Sequence, residues 1–295
     1  MKSINHIRSI VLALLALQIV PSVKAGQTDI ANSPLFTSSE SVVKSNVMFI
    51  LDDSGSMGWD FLPDDAAQSG SGKYGYYASQ CNGVAFNPNT IYAVPVKADG
   101  TYYASSTFAT AKSDGIAGTG YTDLAGKYYY TYSGSQPAMT YTYTSAGLVT
   151  SSTFYKECNS SEGNTPGSGV FTKVTMASGS VNAQNYANWY TYYRTRMLMM
   201  KSSVGLAFAP IDTKYRIGFK TISNASASGT NFLDIKDFDL TQKPLFYSKL
   251  YGASPSGSTP LRGALSTAGQ YYANKASGQT YDPVQYSCQK NFTIL

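Results

Sequence analysis

Residues 46–57 read NVMFILDDSGSM, an apolar run that ends in two carboxylates and two hydroxyls. Asp52, Ser54 and Ser56 lie at alternate positions, and a tight turn can aim alternate oxygens at one point, with Gly55 expected to relieve the backbone strain between them. One carboxylate with hydroxyls and water suits a hard octahedral cation, Mg²⁺ or Mn²⁺ with Ca²⁺ next, better than zinc or copper. The same pattern also fits an Asx-turn between strand and helix that holds no ion.

The elements that must position these residues can be read from periodicity. Val47 to Leu51 is continuously apolar, as a parallel strand buried on both faces requires. The carboxyl end of such a strand is where open α/β sheets place ligands. Between 57 and 181 the chain turns rich in Gly, Ser, Thr and Tyr, with 14 of its 25 tyrosines. Alternating Tyr and Thr between turn residues predicts short strands, and the aromatic content argues for a folded insertion rather than disorder. Tyr186, Trp189, Tyr193, Met197, Met200, Val204 and Phe208 then recur at three- and four-residue steps. That spacing predicts one long amphipathic helix, with Arg194, Arg196 and Lys201 mainly off its buried face. A strand is expected over 215–222 and a short helix from Pro244 to Gly252. A second helix is expected with Thr259 at its N-cap, Pro260 in first position, and Leu261, Ala264, Leu265, Ala268 and Tyr272 buried. Asp282-Pro283 makes a turn, and a last strand begins at KNFTIL. This order indicates an α/β fold, a sheet flanked by helices.

Composition narrows the function classes. Residues 1–25 have the layout of a secretory signal peptide: a basic start, an apolar run too short to span a bilayer, and Ala25 before the expected cleavage. No other segment qualifies as a membrane span. His6, the only histidine, lies in that leader, so the mature chain has no histidine for a Ser-His-Asp triad or a zinc ligand. The formal charge of +5 falls to about +2 without Lys2, Arg8 and Lys24, and no dense basic run remains, so nucleic-acid binding is not expected. Of the three cysteines, Cys81 and Cys158 are the pair inside the insertion. Cys288 is then free, or pairs outside this chain.

FILDDSGSM resembles the D-x-S-x-S signature of von Willebrand factor A domains, which build a metal-ion-dependent adhesion site. SGSTPLRGAL resembles the later loop that gives that site a threonine, here Thr259. DIANSPLF, FNPNTIYAVPVKADGTYY and NYANWYTYYRTRMLMMKSSVG are similar to the PilY/PilC family of exported type IV pilus biogenesis factors and tip-associated adhesins. The resemblance implies a signal peptide (1–25), a leader segment (26–44) and a von Willebrand factor A-like, Rossmann-like domain (45–295) with a Tyr/Gly/Ser-rich β insertion (57–181). It implies a cation held directly by Ser54, Ser56 and Thr259, with Asp52 acting largely through water. An open position would accept a carboxylate from a host or surface protein. Minor pilins or other pilus components would be further partners, and the place would be the surface or pilus tip of a Gram-negative bacterium. In that family the strand starting like NFTIL continues into a Thr-Asp-Gly that supplies a further carboxylate, and a β-propeller with a calcium site follows. The sequence stops before both, so a truncated domain with weakened cation binding is expected. Two other readings stand beside this one. Asp52 could be the nucleophile of a Mg²⁺-dependent phosphotransferase, although Ser54 occupies the position where that chemistry needs a second acid. The chain could also be a purely structural component of pilus assembly.

Overall fold

The structure, a computed structural model, describes residues 43–62, 72–135, 143–144, 147–148 and 153–295. The expected signal peptide and nearly all of the leader segment lie outside these residues, as do parts of the insertion. No helix among the described residues is long and apolar enough to cross a membrane.

The central sheet is mixed, in the order β7-β6-β1-β8. Strand β1 (Ser45–Leu51) pairs in parallel with β6 (Tyr215–Thr221) on one side and β8 (Asn291–Ile294) on the other. Strand β7 (Phe232–Asp237) adds antiparallel to β6. The apolar run of β1 serves both faces, as expected for a strand covered on two sides. Phe49 and Leu51 meet Phe208, Phe219 and Phe246 on one face, and Met48 and Ile50 meet Ile235, Ala264, Ala268 and Tyr271 on the other. Helices α3 (Arg196–Phe208) and α4 (Gln242–Gly252) cover the first face, and α5 (Leu261–Tyr272) covers the second. At the amino end of the sheet the buried Arg216 guanidinium donates to Asn46 Oδ1 (2.8 Å), the Pro283 carbonyl (2.7 Å) and the Ile235 carbonyl (3.1 Å). These bonds dock the 282–283 turn that delivers β8.

The insertion carries its own cores. Strands β2 (Tyr128–Tyr132) and β5 (Phe171–Thr175) pair antiparallel, and β3 (Tyr143–Thr144) pairs with β4 (Gly147–Leu148). Helix α1 (Thr153–Asn159) brings Cys158 to Cys81, and the two form a disulfide across 77 residues. Cys288 is free and exposed.

Four expectations need correction. The long helix over 182–208 is two helices, α2 (Ala183–Tyr192) and α3, with Thr195 between them as the N-cap that accepts the Leu198 N–H (3.2 Å). The break follows from the two halves serving different cores. Tyr186, Ala187 and Tyr192 pack into the insertion, and Met197, Val204 and Phe208 into the sheet. Lys201 is buried, its ammonium donating to the Tyr251 carbonyl at the end of α4 (2.8 Å), whereas Met200 is 37% exposed. Helix α5 starts at Leu261 with Pro260 as its cap and no side-chain cap bond, so Thr259 is not the N-cap. Its buried face is Ala264, Thr267, Ala268 and Tyr271, while Leu261 and Leu265 are exposed.

Lys220 of β6 is buried, and its ammonium makes one bond, to the Ala264 carbonyl of α5 (3.3 Å). Burial pushes it down to about 8, against about 10.4 for a solvated lysine. Between those values the unfolded chain binds more protons. The penalty of burying the ammonium is therefore full below the folded value and is relieved as pH rises through the window. Lys220→Met is expected to raise the urea midpoint near pH 7, and that advantage should shrink towards pH 10. An equal advantage at both pH values would contradict the account.

Candidate functional site

The site lies where β1 ends. In the sheet order the chain passes from β1 to β6 on one side and, later, to β8 on the other. The two following strands therefore leave a crevice at the carboxyl end of β1, the kind of topological switch point at which α/β sheets hold ligands. Strand β1 hands over to Asp52 and Asp53, and a short 3₁₀ turn follows over Gly55–Gly58.

The two aspartates have different roles. Asp53 is buried, and its carboxylate accepts the backbone N–H of Ser223 (3.1 Å) and the Ser223 hydroxyl. Its carbonyl accepts the Ser256 N–H (2.7 Å). A buried carboxylate is tolerated when neutral donors satisfy it, and these bonds also fasten two flanking loops to β1. Asp52 is half-buried, with Oδ1 accepting the Ser54 N–H (2.8 Å) in an Asx-turn. Its other oxygen takes no hydrogen bond from the described residues.

The hydroxyls of Ser54 and Ser56 are 3.2 Å apart. Adjacent oxygens around an octahedral ion with bonds of about 2.1 Å stand about 3 Å apart, so the serine pair is close to the spacing of two neighbouring ligands. Ser54 is buried and Ser56 half-buried, which holds the pair against solvent on one side.

The loop before α5 is brought alongside. Besides the Ser256–Asp53 bond, Gly55 N–H donates to the Gly257 carbonyl (3.1 Å). The backbone strain falls at Gly257, with φ of +72°, and not at Gly55, which is outside the left-handed region. A Cβ at Gly55 would stand 3.4 Å from the Gly257 carbonyl oxygen, so the close approach of the two loops is what favours a small residue there. Thr259 follows two residues later, exposed, with its carbonyl accepting the Leu261 N–H (3.0 Å). No hydrogen bond joins its hydroxyl to either serine.

The donor set is hydroxyl-rich with one available carboxylate. No cluster of three or more His, Cys, Asp or Glu side chains that could hold a metal exists among the described residues. Such a set excludes a tight carboxylate cage and fits a weakly held, hard divalent cation. Ser223 and Thr221, whose hydroxyls lie 3.1 Å apart at the end of β6, were not foreseen from the sequence. The strand at 215–222 pointed to them only through its register with β1, where Leu51 opposes Thr221.

Over 280 residues the chain is 31% identical to the type IV pilus biogenesis factor PilY1 of Pseudomonas aeruginosa strain PAK, taking in 86% of this chain and 23% of that protein. It is 29% identical over 279 residues to the protein of the same name from strain PAO1, again 86% and 23%. For strain UCBPP-PA14 the figure is 28% over 296 residues, 93% of this chain and 24% of the relative. The chain thus spans about a quarter of the length of the curated relatives it matches. All three relatives are named as pilus biogenesis factors and not as enzymes. No protein-family model matches the chain, and no solved structure does.

The unequal roles of the aspartates generate a test. Asp53→Ala removes the acceptor for Ser223 and should cost about 1–3 kcal/mol in urea denaturation. Asp52→Ala loses a single turn bond at a half-exposed position and should cost about 1 kcal/mol or less. Equal losses would contradict this division of roles.

Proposed function

We propose that this chain is part of a type IV pilus biogenesis factor displayed at the surface or pilus tip of a Gram-negative bacterium. Its sheet is read as a von Willebrand factor A-like domain that engages partner carboxylates through a divalent cation. The observation that carries the proposal is the Ser54–Ser56 hydroxyl pair, 3.2 Å apart beside Asp52 at the carboxyl end of β1, in a chain similar to pilus biogenesis factors.

Ser54, Ser56, Asp52 and, from the neighbouring loop, Thr259 would hold the ion, Mg²⁺ or Mn²⁺ ahead of Ca²⁺. A cation there supplies a positive coordination position for a carboxylate. The residues themselves do the positioning. Asp53 and Ser223 fix the turn, the Gly55–Gly257 bond aligns the Thr259 loop, and Asp52 contributes the free oxygen of its carboxylate. With one available carboxylate the site neutralises little of a divalent charge, which favours an acidic side chain on a host or surface protein as partner. Minor pilins or other pilus components are the partners expected for the assembly role.

The phosphotransfer reading is less favoured because Ser54, two residues past Asp52, has no acid function. A structural role in assembly predicts a different experimental result. Calorimetric titration of the folded chain with MgCl₂ and MnCl₂ should show saturable binding that Ser54→Ala/Ser56→Ala abolishes without moving the urea midpoint. Placed in the full-length factor, the same pair of substitutions should leave piliation intact and remove divalent-dependent adhesion to protein-coated surfaces. Unchanged adhesion per pilus would favour the structural role.

A further inference from the structure

A second cleft opens between the insertion and α2. It encloses about 260 Å³, the share of roughly nine water molecules at about 30 Å³ each. Its apolar walls are almost wholly aromatic, eight rings that include Phe86, Tyr77, Tyr128, Tyr186, Trp189 and Tyr190, with Ala85 the sole aliphatic residue. Three charged groups line it as well, Asp60, Lys127 and Arg194.

These charges do not cancel one another. Asp60 accepts the Tyr76 hydroxyl. Lys127 is exposed and has no ion-pair partner among the described residues. The Arg194 guanidinium lies over the Tyr190 ring, 4.9 Å from its centroid, and donates through Nη2 to the Ser113 carbonyl (2.9 Å). That leaves Arg194 Nε buried without a hydrogen-bond partner among the described residues. The Tyr128 hydroxyl donates to Glu162 Oε1 (2.9 Å) and so offers the cleft an acceptor only, while the Tyr186 phenol, raised by burial, is a neutral group able to donate and accept.

We infer that this cleft is a binding site for a saccharide ring carrying a carboxylate. The polarised C–H face of a pyranose complements the negative face of an aromatic ring, and its hydroxyls can meet Asp60 and the neutral phenols. A carboxylate would find charge-assisted donors in Lys127 and Arg194. An acyl chain finds no aliphatic wall here. A flat aromatic ligand would use the rings but leave the three charged groups without purpose. The inference is independent of the cation site.

Trp59 and Trp189 are the two tryptophans of the chain, and Trp59 stacks on Phe61 (5.0 Å between centroids). Trp59→Phe keeps an aromatic ring there and leaves Trp189 as the sole indole reporter. In that protein, with EDTA present to silence any cation binding, glucuronic acid and N-acetylneuraminic acid should produce a saturable change in emission. Glucose should bind about tenfold more weakly. Lys127→Ala, at an exposed position, and Arg194→Gln should each weaken the acids by a similar factor. Several outcomes would overturn the inference: no saturable change with any sugar, equal response to glucose and the acids, unaltered binding in Lys127→Ala, or a response to N-acetyltyrosine alone.

Discussion

The geometry at the end of β1 depends on Asp53. Its carboxylate takes both donors of Ser223 from the loop after β6, and its carbonyl takes the Ser256 N–H from the loop before α5. A single buried residue thus ties together three segments far apart in sequence. A buried carboxylate left without those donors would be strongly unfavourable, so the satisfied arrangement is strongly preferred. The serine turn is held on this frame, and the Gly55–Gly257 bond adds a second rung beside it. What looks like a pair of equivalent acids is one structural anchor and one available oxygen.

The insertion is built onto the sheet through the same neighbourhood. The interruption after Tyr192 lets α2 join the aromatic core of the insertion and α3 join the sheet. At the break, the Arg196 N–H donates to the Trp59 carbonyl (3.0 Å) and its Nε to the Phe61 carbonyl (2.7 Å). The segment leaving the serine turn is therefore clamped where the two helices meet. Asp60 sits between those two clamped residues and faces the aromatic cleft through Tyr76. Cleft and serine turn share a short, well-anchored stretch of backbone.

Much of this was legible in the sequence for physical reasons. A both-sides-buried strand has no polar alternation, and β1 was recognisable on that ground, whereas β6 alternates Ile217 and Phe219 with Arg216 and Lys220 and buries both kinds. The Cys81–Cys158 disulfide followed from the two cysteines enclosed by one insertion. Strand β7 was not read: its FLDIKD pattern alternates weakly, and its antiparallel place beside β6 is set by tertiary pairing. Periodicity could not reveal the helix break, because Thr195 interrupts the backbone without interrupting the apolar spacing. Leu261 and Leu265 have core chemistry, yet α5 meets the sheet through Ala264, Ala268 and Tyr271, whose small and planar side chains allow close approach. At the site, the serine spacing was readable. The anchoring role of Asp53 was not, because it depends on Ser223, 170 residues away.

The central claim is that the serine turn holds a divalent cation. Its most direct measurement is a crystal of this chain soaked in MnCl₂, with data collected at the manganese absorption edge. An anomalous peak in contact with the Ser54 and Ser56 hydroxyls, on the side open to Asp52, is the predicted result. A map with no peak there in a crystal whose serine turn is ordered and solvent-accessible would contradict it.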